Sequence, residues 1–241
     1  MTKNIFLPAY ILLLIISLFA FSNKNNSEDK IISYTVDLNK SNIKLYWKDD
    51  KGNILKSIQN LKDYLNKKRI SLLFAGNAGM YKQDNSPQGL FIQERKELRP
   101  IDTASGNGNF HMKPKGIFYI TTSNQAVVCE TKKFTYTEKI NYATQSGPML
   151  VIDGNIHNAF KQRSTNLNIR NGVGILPDGK VIFAMSKEKI SCYDFADYFK
   201  QLGCQQALYL DGFVSRTYLP EKNWVQTDGN FGVMIGVTEK K

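Results

Sequence analysis

Chemistry in this chain could begin where an apolar run ends in an acid and a glycine, Ala207-Leu208-Tyr209-Leu210-Asp211-Gly212. A carboxylate there sits at the mouth of a sheet, and the glycine lets the backbone turn sharply and approach a ligand closely. Taken alone, the stretch is an ordinary Asp-Gly turn at a strand end. Two others look built to face it: Asn77-Ala78-Gly79-Met80-Tyr81, and the polar run from Arg163 to Gly174. In the second, Arg170 directly precedes Asn171-Gly172-Val173-Gly174, where a loop passes into a strand. A guanidinium there could hold a phosphate or carboxylate in a two-pronged pair, although a solvated arginine would read the same way. Asp211 and Arg170 are the catalytic candidates.

Substrate binding is expected from the loops around them. Asn77-Ala78-Gly79, Gly106-Asn107-Gly108, Ser146-Gly147-Pro148 and Asp211-Gly212 all join small residues to apolar strands. Converging on one rim, they would let a polyhydroxylated ligand reach backbone amides, with Asn offering donor and acceptor together. Asn77, Gly79, Tyr81, Asn107, Ser146, Gly147, Gly212 and Ser215 are the binding candidates. Each loop by itself is also plain turn chemistry.

Other chemistries have little support. His111 and His157 are the only histidines. His111, near Lys113 and Lys115, could act as an acid or base, or simply pack. No His-x-His or His-Glu-x-x-His pattern occurs, so the metal ligands are unknown and no cofactor is expected, with an oxygen-bound divalent cation at Asp211 left open. Gly-x-Ser-x-Gly, Walker and Rossmann patterns are missing from the sequence. Cys129, Cys192 and Cys204 fit no zinc spacing. A helix between the last two would hold them about 18 Å apart, beyond disulfide reach. All three read as structural.

The elements that must position these residues follow from pattern. The 241 residues are 42% hydrophobic, enough for one sizeable core. Residues 1–22 read as a signal peptide or an N-terminal anchor: Lys3, an apolar stretch from Ile5 to Phe21, then Ala20-Phe21-Ser22. Residues 23–30 form a polar linker, and 31–241 the folded domain. The protein is therefore expected to be exported, periplasmic or extracellular, with membrane association through the N-terminus left open. A net charge of +11 favours anionic partners. Lysines are scattered without a basic, aromatic-interleaved stripe, so no nucleic acid is expected. Ile31–Leu38 and Ile43–Trp47 read as a paired hairpin around Asn39–Asn42, and Ile54, Ile58, Leu61 and Leu65 recur at helical spacing. Ala143–Pro148 reads as a loop ahead of a strand at Met149–Ile152. Pro177-Asp178-Gly179 joins a second hairpin, and Ser191 and Asp194 open a helix closed by Gly203. Strict strand–helix alternation is absent. The expected fold is α+β: a single domain with a large, bent, mixed or antiparallel sheet and a few packed helices.

With these stretches in place, the chain resembles the phosphodiester glycosidase family, related to the uncovering enzyme that removes N-acetylglucosamine from a sugar phosphodiester. The resemblance runs from about Ile70 to Val237. It is carried by Asn77-Ala78-Gly79-Met80-Tyr81, Asn109-Phe110 through Gly116-Ile117-Phe118-Tyr119, Ser146-Gly147-Pro148, Ile169–Gly174 with Pro177-Asp178-Gly179, and Leu210-Asp211-Gly212. The family's Asp-Gly-Gly-Gly-Ser is here Asp211-Gly212-Phe213-Val214-Ser215, and its Arg-Thr-Ala is Arg170-Asn171-Gly172. The bulkier residues imply a reshaped pocket and a bacterial branch. The resemblance implies an exported hydrolase, a phosphodiester glycosidase, acting on a carbohydrate or sugar-phosphate substrate. Rival readings are a non-catalytic envelope protein that binds anionic glycans and a metal-assisted phosphodiesterase cutting the P–O bond.

Overall fold

A computed structural model of the protein describes residues 30–212 and 214–240. The stretch read as a signal or anchor, and Phe213, lie outside the described residues. No helix among the described residues is long and apolar enough to cross a membrane.

Three antiparallel sheets enclose one core. The first has six strands in the order β1 (Ile31–Val36), β12 (Val181–Ser186), β11 (Asn171–Ile175), β13 (Ala207–Tyr209), β9 (Met149–Ile152), β10 (Asn155–Ile156). The second runs β15 (Trp224–Val225), β14 (Thr217–Leu219), β3 (Leu72–Asn77), β16 (Met234–Glu239), β2 (Ser41–Tyr46). The third runs β5 (Lys96–Arg99), β4 (Phe91–Gln93), β8 (Ile140–Ser146), β6 (Gly116–Thr121), β7 (Ala126–Glu130). The α+β single-domain expectation holds, with the bent sheet divided in three.

Aromatic rings join the sheets at their centre. Phe74 of β3 stacks on Phe183 of β12 with centroids 5.3 Å apart, and Phe118 of β6 meets Phe183 edge-on at 5.9 Å. Val36, Leu45, Phe91, Val173 and Leu208 fill the same core. The outer faces of two sheets are covered by helices. Helix α1 (Ile58–Lys67) sets Ile58, Leu61 and Leu65 against Leu72, Ala75 and Met234. Its cap, Ser57 Oγ accepting from Asn60 N–H at 3.1 Å, contributes about 1 kcal/mol. Burying three such side chains contributes roughly 1.5–3 kcal/mol each, so packing rather than capping holds the helix. Helix α2 (Cys192–Gln201) lays Phe195, Ala196 and Phe199 on Val151, Ala184 and Ala207, and Ser191 caps it through Asp194 N–H at 3.0 Å.

Two expectations are corrected. Strands β1 and β2 do not pair with each other. A turn does form, with Lys40 and Ser41 N–H both donating to Asp37 O at 2.9 Å, but β1 pairs with β12 and β2 with β16. The turn carries the chain from one sheet to another, where β1 and β2 pair along their full length with β12 and β16. The supposed loop at Ala143–Ser146 is the end of β8, central in the third sheet. Its small polar residues are buried because neighbouring segments use their hydrogen bonds, chiefly through Gln145.

Candidate active site

The site is built where strands from all three sheets end together. Strand β3 ends at Asn77, β13 at Tyr209 and β8 at Ser146, while β11 begins at Asn171. Backbone hydrogen bonds lace these ends: Asp211 N–H to Ala78 O at 3.1 Å, Leu210 N–H to Asn171 O at 2.8 Å, and Tyr209 N–H to Pro148 O at 3.0 Å. Asn171 Nδ2 donates to Asn77 O at 2.8 Å. The acid, the guanidinium and the amide, far apart in sequence, thus meet around one place.

Asp211 leaves β13 on a loop that is held from below. Asn77, 2% exposed, donates its amide to Asp211 O and accepts from Arg216 N–H at 3.1 Å, bracketing both ends of the turn. Ser215 Oγ also donates to Asp211 O, at 3.1 Å. Both ends of the Asn77 amide and the Ser215 hydroxyl therefore position the loop, which corrects the expectation that they face substrate. A Cβ on Gly212 would collide with the Tyr209 hydroxyl and Ile169 O, so only glycine lets the loop lie this close to Tyr209. Gly79 is likewise fixed by packing: a Cβ there would run into Thr144 Oγ1 and Gln145 O.

Two phenols share the field of Asp211. Burial raises the pKa of Tyr81, and the Asp211 charge raises it further. Burial pushes Tyr209 up to about 12, with Asp211 adding to the rise and Arg170 opposing it. Both stay protonated at neutral pH and remain hydrogen-bond donors. Tyr209 was hidden in the apolar run and is the main site residue that sequence reasoning missed; only its contact with Arg170 marks it out.

Arg170 is 2% exposed, not at the surface. Its Nε donates to Ile190 O at 3.2 Å, Nη1 to the Tyr209 hydroxyl at 3.3 Å, and Nη2 to Asn166 O at 2.8 Å. Each nitrogen of the guanidinium thus has a partner within the protein, one of them the Tyr209 hydroxyl. Among the described residues it forms no ion pair within 4 Å, so its charge is held by neutral acceptors.

The remaining candidates lie on two segments that meet at Gly147. Ser146 is fully buried, and its hydroxyl has no hydrogen-bond partner among the described residues. Gly147 lies under the short helical turn Asn109–His111, where a Cβ would come 3.0 Å from Phe110 O. Asn107 sits on the exposed loop leading to that turn. Gln145, next to Ser146, ties down the segment beyond: its Oε1 accepts from Leu90 N–H at 3.0 Å and Asp102 N–H at 2.9 Å, and its Nε2 donates to Asp102 O at 2.7 Å.

Neither histidine joins Asp211 through a hydrogen bond described here. His157 Nε2 donates to Lys113 O at 2.9 Å while Nδ1 accepts from Ala159 N–H at 3.0 Å, an arrangement that fixes one neutral tautomer. Burial pushes the thiols of Cys129 and Cys204 up to about 11, which leaves them poor nucleophiles. Among the described residues no group of three or more His, Cys, Asp or Glu side chains forms a metal-binding cluster.

With this geometry in hand, similarity to known proteins is informative. Residues 71–238 match the family model described as phosphodiester glycosidase. The uncharacterized protein YigE of Escherichia coli K12 is 34% identical over 188 residues, covering 78% of this chain and 73% of its own. The zebrafish N-acetylglucosamine-1-phosphodiester alpha-N-acetylglucosaminidase catalytic domain, auto-inhibited by its pro-peptide, superposes with a TM-score of 0.55 at 15% identity, covering 88% of this chain and 89% of that one. A hypothetical protein from Synechocystis gives 0.55 at 12% identity over 87% of this chain and 59% of that one. These last two likenesses are of fold. The family match spans most of the chain and contains every element of the site, and the chain belongs to the phosphodiester glycosidase family.

Proposed function

We propose that this protein is an exported enzyme that hydrolyses the bond between a sugar's anomeric carbon and a phosphodiester in an envelope or extracellular glycan. The observation that carries the proposal is the position of Asp211: its charge reaches two protonated phenols, Tyr81 and Tyr209, and the second is hydrogen-bonded to Arg170. Cleaving such a bond builds positive charge at the anomeric carbon. A carboxylate is suited to stabilise that charge or to take a proton from the attacking water. Water oxygen bonds to the anomeric carbon and gives one proton to Asp211, which returns it to solvent; the carbon–oxygen bond breaks, and the phosphate leaves with the electron pair. Phosphate carries that charge without a proton, so one carboxylate suffices. Tyr81, half-buried and within the field of Asp211, suits the leaving oxygens as a donor, while Tyr209, 1% exposed, lies behind the loop with Arg170.

Substrate contact is assigned to Tyr81, which is half-buried, whereas Ser146, Gly79 and Gly147 are buried. Export rests on the apolar N-terminal stretch. The test is turnover of sugar-1-phosphodiesters by the purified protein. Asp211→Asn, nearly isosteric, is expected to lower kcat by about a thousandfold while the protein still folds. Saturable binding of anionic glycan by both forms with no turnover by either would instead favour the non-catalytic binding reading.

A further inference from the structure

A cavity opens one residue away from the site. Beyond Tyr81 the chain turns through Lys82, whose N–H donates to Ser86 O at 2.9 Å, and returns to Pro87, which bridges to Tyr81. Facing this turn is the segment that follows β5, pinned at Asp102 by Gln145 and by Lys115 Nζ at 3.1 Å. Between them lies a cavity of about 380 Å³, lined among others by Lys82, Pro87, Gly89, Arg99, Asp102 and Thr103.

Its charge balance is positive where ligand could reach. Lys82 is exposed and Arg99 half-buried. Neither makes an ion pair within 4 Å among the described residues. Two acids lie nearby: Asp102 is paired with Lys115, whereas Asp84, its carboxyl held low by Ser86 and then by the charge of Arg99, keeps its negative charge, so Lys82, Arg99 and Lys115 outnumber the carboxylates by one. Arg99 also faces the Trp47 ring, with its guanidinium carbon 6.0 Å from the centroid. Tyr81, which feels the charge of Asp211, and Lys82, which lines the cavity, are consecutive, so the cavity adjoins the segment that carries Tyr81.

We infer that this cavity receives a second phosphodiester of the same substrate chain, and hence that the substrate is a repeating sugar-phosphate polymer. The inference rests on reading the Asp211 site as one that accepts a phosphodiester. Arg99 supplies a planar fork suited to phosphate oxygens and Lys82 a mobile point charge. Neither is placed to touch the bond that breaks.

The test reads binding apart from turnover. The probes are glycerol-phosphate chains carrying one or two phosphodiesters; they contain no glycosidic bond and cannot be cleaved by a glycosidase. Titration calorimetry at 0.15 M salt should show the wild-type protein binding the two-phosphodiester probe about tenfold more tightly than the other. The Lys82→Ala/Arg99→Ala variant should bring the two affinities to within about twofold. A Lys187→Ala/Lys222→Ala control removes equal charge from a cavity lined by Ile31, Ser33 and Trp224, and should keep the tenfold ratio. No preference in the wild type, its survival in the Lys82/Arg99 variant, or equal loss in both variants would overturn the inference. A preserved ratio in a protein that turns over no sugar phosphodiester would sink the glycosidase reading and leave the subsite standing.

Discussion

Two arginines flank the Asp211 loop and are held in opposite ways. Arg216 lies at the surface, with Nε 2.8 and 2.9 Å from the two oxygens of Asp228 and Nη1 3.0 Å from Ser215 O. Its charge is cancelled by a carboxylate. Arg170 is buried, surrounded by backbone carbonyls, an asparagine and a phenol. Burying a cation is costly unless its donors are satisfied, and carbonyls satisfy donors without removing the charge. One arginine therefore fastens the loop from outside, while the other keeps a positive field behind Tyr209.

The comparison can be broken by substitution. Arg170→Met keeps much of the volume but strands Asn166 O and the Tyr209 hydroxyl, while Ile190 O keeps Asn168 N–H; about 3 kcal/mol of stability should be lost in denaturant melts. Turnover should fall about a hundredfold with loss of the positive charge behind Tyr209. Tyr209→Phe should cost about 1–2 kcal/mol and about tenfold in kcat, and the double variant should lose less than the product of the two effects, because they share one contact. Arg216→Ala should cost under about 1 kcal/mol and change turnover by less than about threefold, since the bond to Asn77 is made by its backbone. Equal effects at both arginines would erase the distinction.

Local chemistry made some of this legible in the sequence. Asp211-Gly212 after an apolar run announced a carboxylate at a strand end, and Pro177-Asp178-Gly179 announced the β11–β12 hairpin. What stayed hidden depended on partners distant in sequence. The turn at Asn39–Asn42 looks like a hairpin because a turn does form there, yet the pairing of β1 with β12 is settled by residues nearly 150 positions away. Thr144, Gln145 and Ser146 look like loop residues until Asp102 and Leu90 are seen consuming the hydrogen bonds of Gln145. Asn77 was legible as important, but its role as a clamp required seeing Asp211 and Arg216 at either end of its amide.

The central claim is that the Asp211 site breaks a carbon–oxygen bond. Hydrolysis of a sugar-1-phosphodiester in ¹⁸O-labelled water, followed by mass analysis of both products, tests it most directly. The account predicts label in the sugar's anomeric hydroxyl and none in the phosphate, with that label lost in Asp211→Asn. Label in the phosphate would mean that the P–O bond is cut, and would contradict it.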